Sequence, residues 1–336
     1  MSLLSRLLHS RHTDGAPDAR RVDEAVERIV KLSPHLHLAR HYRSRLEPAV
    51  ATSLKYVGDI VASASAAREA SAAAWSADPY IHAFFVAPTD IAPALSRSTD
   101  LREFFEQNTD SPEAYAVLGM AMSERRALGV ALEGDAIRRD VVQTTVSFSD
   151  HQVRICGRTE SDLRQEIVLR LVDQLGLEGL ARIEADKSRR DLLERERALL
   201  KTRLQLLERQ GIGIRSLFGD DATAESGESG RLKAQIEENE RSLNSLGIRS
   251  EALDRALNCV CDVLANPSQH IYVESKRFRL DKMNVARPED STEPSDDITI
   301  QIARIPTTPP RMRAFTLVRF ARSELSPATS MFAGLL

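Results

Sequence analysis

Four short stretches hold the side chains that could do chemistry. "HLHLARHY" carries His35, His37 and His41. A step of four residues would put His37 and His41 on one helix face. A metal site needs a third or fourth ligand, and no HExxH pattern or cysteine pair supplies one. Capping and surface roles are therefore expected of these histidines, and no metal. "SDH" sets Ser149, Asp150 and His151 side by side. Neighbours in a tight turn point different ways, so a nucleophile, base and orienting acid are not expected to assemble from them. Cys259 and Cys261 are one residue apart and would diverge by about 200° on a helix, which suits an interface rather than a redox pair. "GDAIRRD" gathers Asp135, Arg138, Arg139 and Asp140. If the chain is an enzyme with dispersed catalytic groups, these are the first candidates; a loop salt bridge accounts for them equally well.

Nucleotide and acyl-transfer signatures are missing. "GIGIRS" lacks a third glycine and a preceding strand, so it is not a dinucleotide fingerprint. There is no GxxxxGK[ST] and no GxSxG. No cofactor is expected. In "ESKRFRLDK", Lys276, Arg277 and Arg279 are interleaved with Phe278 and Leu280, as on an exposed strand face. The net charge is −3, so no global basic field argues for nucleic acid. Arginine outnumbers lysine 39 to 7, a usage that suits a GC-rich bacterial genome better than any ligand. Three cysteines without framework spacing argue for a reducing compartment, and no 18-residue apolar window marks a spanning helix. A cytoplasmic protein is expected. Residues 1–12 place Leu3, Leu4, Leu7 and Leu8 on one helical face beside Arg6 and Arg11, which would give weak contact with a membrane surface.

The elements around these stretches follow from periodicity. Residues 22–32 read as a helix stopped before Pro34. A second helical region runs from Leu36 to Ala77, kinked or split at Pro48. Nine of the sixteen residues 62–77 are alanine, which predicts a closely packed helix. From Ala114 the period changes to two. Val142, Thr144, Val146 and Phe148, then Val153 and Ile155, alternate with polar residues, with Ser149-Asp150 near a turn. With "AYAVLGMAM" and "ALGVALEG" joined by "SERR", this predicts a meander of about four strands over 114–157. Thr159 and Asp162 open a helix. Ile167, Leu171 and Leu175 form its stripe, widened by Leu163 and Val168.

The strongest pattern is a heptad series: Leu232, Ile236, Asn239, Leu243, Leu246, Ser250, Leu253, Leu257, Val260 and Leu264. Alternating steps of four and three keep an apolar seam facing a partner helix. Gly247 is a flaw in it. Upstream, Leu193, Leu200 and Leu207 repeat every seven residues, with Leu192, Leu199 and Leu206 beside them and Leu204 between. The two helices are expected to fold back as a hairpin. Gly211 and Gly213 would let the chain leave the first helix. Ile212, Ile214, Leu217 and Phe218 would then lie at the tip, either capping the seam or docking on a partner, with "ATAESGESG" as linker. After Asn266-Pro267, "HIYVESKRFRL" reads as a strand. "ITIQIARI" and "MRAFTLVRF" read as a hairpin, with Ile298, Ile300 and Ile302 inward.

The fold class expected is α+β: a discontinuous antiparallel β body with a helical N-terminal region and an inserted long antiparallel coiled-coil hairpin. The divisions are 1–21 (amphipathic segment and linker), 22–110 (helical), 111–180 with 266–325 (body), 181–265 (hairpin, tip at 211–230) and 326–336 (tail). The function expected is non-enzymatic: an interaction or scaffold protein that binds a protein partner through the hairpin. A homo-oligomer through the coiled coil, an enzyme, and a peripheral membrane accessory protein stay open as alternatives.

Overall fold

The structure, a computed structural model, describes residues 18–133, 136–218, 223–246, 252–288, 291, 293–305 and 311–327, and the side chains of these except 129–140, 209–227, 252, 305 and 311. It is a mixed α+β protein with N-terminal helices, a mostly antiparallel sheet and a long helix packed on two others. Two compact units divide the chain. One is built mainly from 51–174 and 266 onward, the other from 23–50 and 175–265.

The sheet belongs to the first unit. Among the described residues its strands are β1 (Arg68–Glu69), β2 (Glu113–Glu133), β3 (Ala136–Gly157), β4 (Tyr272–Leu280), β5 (Val285–Ala286), β6 (Asp296–Ile305) and β7 (Arg311–Ala321). Their order is β1-β7-β2-β3-β5-β4-β6, and β7 also pairs with β6. Alternation assigns the two faces. Ala114, Ala116, Leu118 and Met120 of β2 are buried and lie opposite Phe320, Val318, Thr316 and Ala314 of β7. Ile298 and Ile300 of β6 and Phe278 and Leu280 of β4 belong to the same core. That core is completed by short helices of residues 79–107, through Ile81, Phe84, Ile91, Leu95, Leu101 and Phe105. Caps set these helices: Asp78 accepts from the Tyr80 N–H at 2.8 Å, and Ser98 from the Leu101 N–H at 3.2 Å.

In place of a four-stranded meander, residues 113–157 form one long hairpin of β2 and β3. Neither expected turn forms. Ser123 and Ser147 sit opposite each other and share a hydroxyl hydrogen bond of 2.8 Å, so "SERR" continues the strand. Ser149-Asp150 makes a β-bulge: between the pairs Gly119–Gln152 and Ala121–Ser149, β3 carries one extra residue, and Asp150 takes φ +50°. A second bulge follows at Ile155, with φ +55°. The turn-forming chemistry of Ser and Asp is present, but the ladder absorbs it.

The helices also depart from the sequence reading. Helix α1 (Ala19–Leu32) stops before Pro34 as expected. A 3-10 turn over Pro34–Leu38 follows, then α2 (Tyr42–Ser63), which runs through Pro48. The alanine-rich stretch is not one helix. It holds the end of α2, strand β1 and α3 (Ala72–Ala77). A tertiary contact overrides alanine propensity here: the Arg164 guanidinium donates to the carbonyls of Val61, Ala64 and Ser65, terminating α2. The Ala70 N–H then bonds to the Arg319 carbonyl of β7, drawing the chain into the sheet.

In the second unit, helices α7 (Glu160–Phe218), α8 (Thr223–Ser245) and α9 (Ala252–Ala265) follow α4 (Pro79–Phe84), α5 (Ile91–Ser96) and α6 (Thr99–Gln107) in the chain, and α7 enters it at Leu175. Thr159 caps α7 through the Asp162 N–H at 3.1 Å. Helix α7 does not end at Gly211. It continues through Gly213 to Phe218, and "TAESGESG" is helical rather than linker. Each glycine costs a helix only about 1 kcal/mol against alanine, too little to stop one flanked by Ile, Arg and Leu. The heptad series, in turn, is not carried by one helix. Helix α8 stops at Ser245, and α9 begins at Ala252.

Candidate functional site

The residues singled out for chemistry do not converge. The histidines do not share a helix: His37 lies in the 3-10 turn with its Nδ1 against the Pro34 carbonyl, and His41 has φ +53°. Asp150 and His151 leave the strand in different directions. The Asp150 carboxylate accepts from Arg313 at 2.7 Å and Gln152 at 3.0 Å. His151 Nε2 contacts the Phe84 carbonyl at 2.8 Å, and its ring stacks on Phe85. Burial lowers the His151 pKa, which favours the neutral imidazole. Asp135 and the side chains of Arg138, Arg139 and Asp140 lie outside the described residues, as do those of Ile212, Ile214, Leu217 and Phe218.

The cysteines are poor nucleophiles. Burial pushes Cys156 up to about 12 and Cys261 up to about 11, and raises Cys259 as well. The thiolate is the reactive form, so all three should be inert near neutrality. Iodoacetamide at pH 8 should label the native chain far more slowly than the denatured one. Native labelling at the denatured rate would contradict this.

The heptad helices make a more coherent surface. Leu232, Ile236, Asn239 and Leu243 of α8 are buried. Facing contacts run in reverse order along α7: Lys233 pairs with Glu208, Lys201 with Glu240, the Asn239 amide with Glu196, and Arg190 with the Leu246 carbonyl. Leu193, Leu200 and Leu207 are half-buried, whereas their neighbours face outward. Leu192 is 65% exposed, Leu199 70% and Leu206 54%. In α9, Leu257, Val260 and Leu264 are fully buried, but Leu253 points out and does not join the seam. Ser250 lies outside the described residues.

A cavity of about 400 Å³ lies within the first unit, on the second face of the sheet. The ladder registers build its floor. Phe315 sits beside Gly119, which sits beside Gln152; Leu317 sits beside Val117, which sits beside Arg154. Ile60 and Val61 of α2, Ala64 just after it, and Ile167 and Leu171 of α7 form the roof. The buried side of α7 in this stretch is Leu163, Val168, Val172 and Leu175, so Ile167 and Leu171 are left to line the space. The Arg313 side chain passes beside Gly119, where an added Cβ would lie 3.6 Å from its Nε, an ordinary contact. Nothing in the sequence brings these parts together, because α2 and β7 are some 250 residues apart; only the alternation of "MRAFTLVRF" hints at a second apolar face.

Among the described residues, no three His, Cys, Asp or Glu side chains gather as metal ligands, and no helix is long and apolar enough to cross a membrane. Comparison with protein families, with curated proteins and with solved structures returns no match.

Proposed function

We propose that the chain is a non-enzymatic interaction protein, a scaffold. In this reading α7 and α8 form an antiparallel coiled-coil hairpin inserted into a discontinuous α+β body, and the hairpin is the binding arm. The observation that carries the reading is the outward stripe of Leu192, Leu199 and Leu206 at seven-residue spacing. Each lies one residue before a member of the inner seam, so the stripe continues that seam around the helix. A heptad stripe is complementary to another heptad stripe. The partner assigned is a second copy of the chain, which supplies a helix of matching repeat. An antiparallel two-fold brings the three leucines of one copy against the same three of the other in reverse order, a closed and self-complementary contact. Ile212, Ile214, Leu217 and Phe218 remain candidate partner-binding residues of the same arm.

Light scattering tests this. The full chain should have the mass of a dimer. The triple change Leu192→Lys, Leu199→Lys and Leu206→Lys should give a monomer of unchanged helix content, because exposed side chains lose little transfer energy on replacement. A wild-type monomer at high concentration, whether or not it binds another helical protein, overturns the assignment of a second copy. So does a triple variant that stays dimeric.

A further inference from the structure

We propose that the cavity beneath α2 and α7 is a binding site for a free aliphatic carboxylate of medium chain length. The argument rests on the cavity alone and is independent of the leucine stripe.

Protein interiors are packed with few voids larger than a water molecule. A gap of about 400 Å³ between the sheet and its roof is far larger than that, and lies in the range of small-molecule pockets. Its lining is unequal in character. Val117, Ile167, Leu171, Ile271, Phe315 and Leu317 offer aliphatic and aromatic surface. The polar lining is confined to Gln152, Arg154 and Arg313 among the described residues, so the charged groups are two guanidiniums and no carboxylate. Each guanidinium already holds a carboxylate, Arg154 that of Asp100 at 3.3 Å and Arg313 that of Asp150 at 2.7 Å, so a ligand head would draw on their remaining N–H donors; an apolar cavity edged by such donors selects an apolar chain with an anionic head. A guanidinium binds a carboxylate through parallel N–H donors, which makes that head the natural complement.

The backbone around this end is arranged for the purpose. Two of the three register shifts in the β2–β3 ladder fall here, at Asp150 and Ile155. Ile155 carries φ +55°, a left-handed conformation that a β-branched residue adopts only under strain. Its side chain is part of the cavity wall. Strain of this kind persists where the surroundings enforce it, and it concentrates at ligand sites. Arg313 is oriented beforehand, with its guanidinium held by the Asp150 carboxylate and carbonyl and its stem beside Gly119.

Titration calorimetry on the full chain with decanoate is the test. Saturable binding is expected. Decanol, which has the chain without the charge, should bind roughly tenfold more weakly or worse. Ile167→Trp should abolish binding by filling the space. Arg313→Gln should remove the preference for decanoate over decanol while decanol still binds; circular dichroism of both variants checks that they are folded. Absence of decanoate binding to the wild type overturns the proposal. Undiminished binding by folded Ile167→Trp overturns it too, as does an intact charge preference in Arg313→Gln. Binding to phosphatidylglycerol vesicles without binding to decanoate would assign the surface to a bilayer and overturn the free acid.

Discussion

Gly179→Leu should unfold the helical unit or cost it about 3 kcal/mol or more, at the upper end for an overpacked contact. Gly179 lies where α7 meets α9. An added Cβ there would fall 2.8 Å from Val260 Cα and 3.1 Å from its Cγ2. The obstacle is backbone, so no rotamer change relieves it, and α9 must move away. Val260 shares its face with Leu257, Val263 and Leu264, all fully buried, and each would lose contact as the helices part. Gly176, one turn earlier, is the control. A Cβ there would meet Ile29 at 3.4 Å and Leu32 at 3.5 Å, which is ordinary packing. Gly176→Ala should be neutral or should stabilise by up to about 1 kcal/mol, the helix preference of alanine. Urea unfolding followed by circular dichroism separates the two. Equal midpoints for Gly179→Leu and wild type would refute the close approach.

The same glycines show what the sequence could reveal. Periodicity located the helices and the period-two strands, because a buried face imposes its repeat on the chain whatever the partner is. Ile298 and Ile300 face the core, and Leu232, Ile236 and Leu243 are buried on α8 as their spacing required. Punctuation was less readable. Gly211 and Gly213 looked like a helix end and are helical, whereas the series through Gly247 looked continuous and belongs to two helices. A glycine or a Ser-Asp pair states a local cost of about 1 kcal/mol, and tertiary contacts decide whether it is met. At Asp150 the pair became a bulge because Arg313 and Gln152 hold the carboxylate.

The cavity was not readable at all. Its residues come from five strands and two helices, and each looks like ordinary core in its own segment. The spacing places Ile167 and Leu171 in the packing stripe, yet both are only half-buried and the tightest packing on that helix falls to Leu163, Val168 and Val172. The difference is one of rotation about the α7 axis, which a repeat in one helix cannot fix without its neighbours. The residue that ties the roof together was also missed. Arg164 is one of 39 arginines, with no pattern to mark it.

Arg164→Ala should cost about 3 kcal/mol, short of the loss from breaking a fully buried pair, since the Arg164 and Glu160 side chains are 23% and 32% exposed. It would strip the donors from the Val61, Ala64 and Ser65 carbonyls at the end of α2 and leave Glu160 without its cation. Glu160 also accepts from the Ala67 N–H at 3.1 Å, so the pair fastens the segment after α2 to the start of α7. Burial alone would raise the Glu160 pKa. The Arg164 hydrogen bond, the Ala67 N–H and the Arg164 charge outweigh it and hold the carboxyl below its ordinary value. A group whose folded pKa is depressed contributes stability above its unfolded pKa and loses it as pH falls through the folded one. Glu160→Gln should therefore be less stable than wild type at neutral pH, and the gap should close on acidification below the usual carboxylate range. A gap that persists unchanged into that range would show that the charge of Glu160 is not what holds α2 to α7.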